Sequence, residues 1–133
     1  MVWKCIFAFS LIFILNSCSD DNEPESDSGE SVVGRWQKYQ VMDSNGDFSE
    51  GDLDEFWIFY ADGSFKNEDS GSITTTGYYT VEGSMLNIFS HSTNDLEEEE
   101  NFSGNYVIED EYMTYSFTDL RDGEELTIRF KRM

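Results

Sequence analysis

In Tyr112-Met113-Thr114-Tyr115-Ser116-Phe117-Thr118 the large Met113, Tyr115 and Phe117 interleave with the polar Thr114 and Ser116, and in Leu126-Thr127-Ile128-Arg129-Phe130-Lys131 a few residues later Leu126, Ile128 and Phe130 interleave with Thr127 and Arg129. A period of two is that of a β-strand with one face buried and the other in water. Arg121-Asp122-Gly123 lies between the two runs and is a turn signal, so they read as antiparallel neighbours. Towards the N-terminus, segments rich in aromatic and β-branched residues are separated by Asn45-Gly46-Asp47, Ala61-Asp62-Gly63, Asp69-Ser70-Gly71 and Glu82-Gly83-Ser84. This spacing predicts strands at 34–42, 55–60, 64–67, 74–81, 85–90, 104–108, 112–118 and 126–131, and no stretch carries a helical period.

Short turns between successive strands make an up-and-down antiparallel meander, and closing it removes the exposed edges that invite aggregation. The expected fold is therefore all-β, an eight-stranded antiparallel barrel over residues 32–133, a common length for a single core. Alternation sends Trp57, Phe59, Phe65, Tyr79, Val81, Leu86, Ile88, Met113, Tyr115 and Phe117 inward. Eight strands enclose a space that side chains just fill or that holds one small ligand. Trp57, Phe59, Tyr79, Leu86, Tyr115 and Phe117 are thus the candidate lining of a pocket for an apolar molecule, and equally the material of a solid core.

The other end of the chain has a different character. Lys4 precedes the 11-residue apolar stretch from Cys5 to Leu15, which ends in Asn16-Ser17-Cys18 and is followed by Ser19-Asp20-Asp21. A membrane-spanning helix needs about 20 apolar residues, so the stretch is short for a span. Its order resembles a bacterial lipoprotein signal peptide, residues 1–17, cut between Ser17 and Cys18. The resemblance implies that Cys18 carries lipid, with two or three fatty chains forming a stable tether. Residues 18–31 contain the only proline, many acids and no large apolar side chain, the composition of a flexible linker. With Cys5 removed and Cys18 lipidated, neither of the 2 cysteines remains for a disulfide, a cysteine nucleophile or a thiolate-bound metal.

The chain has 28 acidic and 8 basic residues and a formal charge of -20; residues 1–17 contribute one lysine and no acid, so the mature form is more acidic still. Such a surface repels phosphate backbones, which argues against nucleic acid and favours a cationic protein or a cation as partner. Asp43, Asn45, Asp47 and Asp54 have part of the spacing of a calcium loop, but Phe48 stands where such a loop has glycine and Asp54 where it has glutamate. They read as an acidic loop, and Glu97-Glu98-Glu99-Glu100 as another. His91, the single histidine, falls just after a predicted strand with no Gly-x-Ser-x-Gly elbow in the chain. No cofactor motif and no enzymatic constellation emerges.

One ordered set of segments is recognisable: Gly34-Arg35-Trp36, Phe59-Tyr60-Ala61-Asp62-Gly63-Ser64-Phe65, Gly77-Tyr78-Tyr79-Thr80-Val81-Glu82-Gly83 and Leu86-Asn87-Ile88. Together they resemble the lipocalin-like domain common in Bacteroidetes lipoproteins, over most of residues 32–133. The resemblance implies a barrel signature of Gly34, Trp36 and a basic residue near the last strand, Arg129 or Arg132, laid over the tryptophan. It also implies a monomer anchored by lipid in the outer membrane of a bacterial envelope, and the acids after Cys18 resemble the export signal of surface-exposed lipoproteins in that group. Two functions follow from it: a non-enzymatic barrel that binds a small hydrophobic ligand, or a filled barrel whose acidic loops engage a protein or a cation.

Overall fold

The computed structural model describes residues 31–133, so the expected signal peptide, Ser17, Cys18 and nearly all of the acidic linker lie outside the described residues. Within them nine strands follow one another: β1 (Gly34–Met42), β2 (Phe48–Glu50), β3 (Glu55–Phe59), β4 (Ser64–Asp69), β5 (Ser72–Glu82), β6 (Met85–Ser92), β7 (Glu99–Glu109), β8 (Tyr112–Asp119) and β9 (Glu125–Arg132). All neighbours are antiparallel, and β9 pairs back onto β1, from Trp36 opposite Arg132 to Val41 opposite Ile128. The ring β1-β3-β4-β5-β6-β7-β8-β9 is therefore a closed eight-stranded up-and-down barrel, with β2 as an extra strand on β1. The turn signals do what their chemistry suggests: Ser70 and Gly71, at φ 51° and 85°, form a two-residue hairpin between β4 and β5.

Three local expectations change. β2 has only three residues in an acidic loop, too few to display a period, and exists because Met42, Val41 and Gln40 offer it a ladder. β7 starts at Glu99 instead of 104, because β6 runs on through His91, which faces Glu99; Glu99 and Glu100 are strand residues and His91 lies within β6. Cross-strand pairing here overrides the preference of acids for loops. Val81, expected inside, is 40% exposed, since β4 ends its pairing with β5 at Tyr78 and no strand covers Val81 on that side.

Trp36, Phe59, Phe65, Leu86, Ile88, Met113, Tyr115 and Phe130 are fully buried. Phe102, Ile108 and Ile128 join them in one cluster with Trp57 and Phe117. Its rings meet at angles that suit aromatic quadrupoles, such as the edge-on contacts of Trp57 with Phe65 at 5.6 Å and of Phe59 with Tyr79 at 5.0 Å. Gly104 in β7 permits the tight wall on which this core depends: a Cβ there would sit 2.0 Å from the carbonyl oxygen of Ser116 on β8.

Candidate functional site

The two ends of the barrel are built differently. At one end Trp36 is completely buried, its indole N–H donating to the carbonyl of Val32 at 2.7 Å. The Arg132 guanidinium lies over the Trp36 ring at 4.2 Å and donates to the carbonyls of Val33 at 2.9 Å and Ser31 at 2.8 Å. It clamps the lead-in segment across the barrel end. Gly34 has φ +142°, and a Cβ on it would meet the Arg132 guanidinium at 3.1 Å, so both backbone and neighbour call for glycine. Of the two arginines expected over Trp36, Arg132 takes that place and Arg129 does not. Inward parity on β9 runs through Leu126, Ile128, Phe130 and Arg132; Arg129 falls on the outer face, over the Phe48 ring at 4.2 Å, and donates to Gln40 at 3.1 Å.

At the other end the inward positions turn polar on almost every strand. Continuing the alternation past the aromatics leads from Trp57 to Glu55, from Phe65 to Asn67, from Ile88 to Ser90, from Phe102 to Glu100 and from Phe117 to Asp119. Trp36 leads likewise to Lys38, and Thr75 occupies the matching place on β5. Two register shifts mark this rim. One, between Lys38 and Gln40 on β1, turns Val41 inward instead of Gln40; the other lies between Asn67 and Glu68, where β4 meets β5. Bulges of this kind re-aim side chains at barrel rims.

The polar ring is tightly organised. Glu55 receives Lys38 Nζ at 2.9 Å, the Trp57 indole N–H at 2.9 Å and the Asn67 amide at 3.2 Å. Across the mouth, buried Asp119 accepts Arg121 Nε at 3.1 Å and Nη2 at 2.7 Å, and Arg121 reaches on to Glu100 at 3.7 Å. The hydrogen bonds from Arg121 hold the Asp119 carboxyl below the usual carboxylate range against the opposing effect of burial, and Asp119 in turn raises the affinity of Arg121 for its proton. Ser90 Oγ donates to the Glu100 carbonyl at 2.6 Å, and the Thr75 hydroxyl to the Glu100 carboxylate at 3.4 Å.

Beneath the ring is a cavity of about 210 Å³. Trp57, Phe65, Phe102 and Phe117 form its aromatic part, Val41, Leu126 and Ile128 an aliphatic wall, and Lys38, Glu55, Asn67, Thr75, Glu100, Asp119 and Arg121 its polar rim.

Of the expected lining, Trp57 and Phe117 reach this cavity, whereas Phe59, Tyr79, Leu86 and Tyr115 pack in the closed half. The Tyr115 hydroxyl donates to the Leu86 carbonyl at 2.8 Å, and burial raises its pKa well above that of a free phenol. Tyr79 donates to the Tyr60 carbonyl at 2.7 Å, its pKa raised by burial and then by the charge of Asp62. In the acidic loop, Asp43 Oδ1 accepts the backbone N–H groups of both Asn45 and Asp47, and Asp54 belongs to a separate turn capped by Asp52. Among the described residues no group of three or more histidine, cysteine or acidic side chains is placed to hold a metal ion, and no helix is long and apolar enough to cross a membrane. Neither a protein-family model nor a curated protein sequence matches the chain.

Proposed function

We propose that the chain is a lipid-tethered protein of the bacterial envelope whose lipocalin-like barrel binds one small, largely apolar molecule in its open mouth and catalyses nothing. The observation that carries this reading is the cavity of about 210 Å³ with aromatic side chains below and a ring of paired polar groups above. Apolar walls favour an apolar ligand by about 25 cal/mol per Å² removed from water, and a few fixed polar groups set its orientation. The tether rests on the sequence, on Lys4, the apolar stretch and Ser17-Cys18. A wholly filled barrel fits the closed half only, so binding is favoured over a purely structural role.

Trp57 touches the cavity and its indole N–H is held by Glu55, so its fluorescence reports on the site. Titrating the purified full chain with a single-ring apolar compound should give a saturable change that disappears in Trp57→Phe, the buried Trp36 serving as internal control. A linear, unsaturable response defeats the binding reading. For the tether, cells fed labelled fatty acid should label the parent chain and leave Cys18→Ala unlabelled; label retained in Cys18→Ala rules out that assignment.

A further inference from the structure

The acids of the barrel are gathered at one end. The strand ends and connections at the mouth, residues 43–55, 68–71, 91–100 and 119–125, contain 17 acidic side chains and a single basic one, Arg121. Those at the closed end, residues 31–35, 60–63, 82–84, 109–111 and 131–133, contain five acids and three bases. Ion pairs offset little of this excess: among the described residues, only Glu55, Glu68, Glu98, Glu100 and Asp119 of the mouth acids pair with a lysine or arginine. A concave site rimmed by one sign of charge above apolar walls focuses the field, so this mouth draws cations and turns anions away.

The three carboxylates that line the cavity differ in how far they are already used. Glu55 accepts Lys38 Nζ, the Trp57 indole N–H and the Asn67 amide, and Asp119 accepts Nε, Nη2 and the backbone N–H of Arg121. The Glu100 carboxylate accepts only the Thr75 hydroxyl, at 3.4 Å, and Arg121 stands 3.7 Å away, beyond hydrogen-bond reach. Its side chain is 27% exposed, so an incoming donor can reach it. Two residues along β7, Phe102 stacks at 5.6 Å on Trp57 and meets Phe117 edge-on at 5.0 Å, and aromatic faces favour a cation as well as an apolar group. A cavity of about 150 Å³ in another protein takes benzene, so about 210 Å³ suits a single ring with a short arm. From these observations we infer that the ligand is a compact aromatic amine bound as its cation, the ring packing among Trp57, Phe102 and Phe117 while the ammonium group donates to the Glu100 carboxylate. The inference rests on the binding reading above and adds the sign of the ligand's charge and the residue that anchors it.

Benzylamine, benzyl alcohol and benzoate share one ring and differ in charge, and methylamine carries the cation without the ring. Calorimetric titration of the purified full chain at pH 7 and low salt should show benzylamine bound about ten-fold more tightly than benzyl alcohol, the factor of one hydrogen bond to a charged group, with benzoate weaker than the alcohol. In about 0.5 M salt the gap between benzylamine and benzoate should narrow, because screening shortens the reach of the mouth's field. Glu100→Gln keeps the side-chain volume and should bring benzylamine to within about three-fold of the alcohol, whose own affinity changes by no more than about two-fold. Equal binding of amine and alcohol by the parent chain, which needs no variant, overturns the charge inference but leaves the pocket intact, as does benzoate binding most tightly. Methylamine binding as tightly as benzylamine overturns it too, since the acids would then gather cations without using the cavity. An undiminished preference for benzylamine in Glu100→Gln removes Glu100 as the anchor. No binding of any ring probe removes the pocket reading itself, and with it this inference.

Discussion

The closed end of the barrel points Trp36, Phe59, Leu86, Ile88, Met113 and Phe130 inward, while the open end points Lys38, Glu55, Asn67, Thr75, Ser90, Glu100 and Asp119 inward from strands of the same barrel. The backbone parity is unbroken on β3, β7 and β8, so on these strands the contrast is one of side-chain chemistry, while the register shifts on β1 and between β4 and β5 fall at the open end. At the closed end burial of apolar area does the stabilising and Arg132 with Gly34 and Trp36 seals the rim. At the open end the polar groups satisfy one another and stand off from the centre, which leaves volume unfilled. The closed end holds the fold, and the open end keeps unfilled volume beneath its polar groups.

The largest effect that separates the two ends is loss of an aromatic side chain. Trp36→Ala should lower the unfolding free energy by about 3–5 kcal/mol, since the buried site is walled by β1, β9 and the lead-in segment and collapses poorly. Phe102→Ala, beside the existing cavity, should cost less, about 2–3 kcal/mol, because part of its surroundings already opens to the mouth. Urea denaturation at unchanged m-value measures both. Equal losses would mean that the ends do not differ mechanically.

How far these differences are legible in the sequence depends on which principle wins locally. The alternation of 112–118 and 126–131, with Gly-containing turns, was enough for the barrel, its strand order and most of its core, because half-buried strands write their inside face into every second residue. The mouth was equally encoded, but its signal lies in carrying the parity one step beyond the aromatics: Phe117 to Asp119, Phe102 to Glu100, Trp57 to Glu55. Counting only apolar residues as inward ends the list too early and puts Glu100 in a loop. Lys38 and Val41 both face the cavity despite their odd spacing, and the bulge between them is a matter of pairing with β9 that no local pattern shows. Choosing Arg132 over Arg129 needed only the same parity count.

The next effect in size tests the polar ring. Asp119 is 5% exposed and receives the Arg121 guanidinium, whose own side chain is 44% exposed, so the pair is partly screened. Asp119→Asn should cost about 1–2 kcal/mol at pH 7, near the lower range for hydrogen bonds to charged groups. The folded carboxyl titrates below the ordinary aspartate range, chiefly because of the Arg121 hydrogen bonds. Its contribution is therefore complete above the unfolded value and is lost as pH falls through the lower folded value. The gap between parent and Asp119→Asn should narrow as pH drops below about 4, measured by urea titration at pH 7 and pH 3. A gap that stays constant would show that the carboxylate charge plays no part in holding the rim.

The smallest change in stability should come with the largest change in binding. Val41 lines the cavity and packs against the edge of the core, so Val41→Phe extends a side chain into unfilled space and should shift the unfolding free energy by less than about 1 kcal/mol in either direction. The same kind of enlargement in the closed half, Leu86→Phe, meets filled surroundings and should cost about 1–3 kcal/mol. Ring-probe binding should be abolished by Val41→Phe and retained by Leu86→Phe wherever that variant is folded, with calorimetry reading affinity and denaturation reading stability on the same samples. If Val41→Phe binds the probe as the parent does, the ligand does not occupy the mouth; if it destabilises as much as Leu86→Phe, the open half is packed as densely as the closed one.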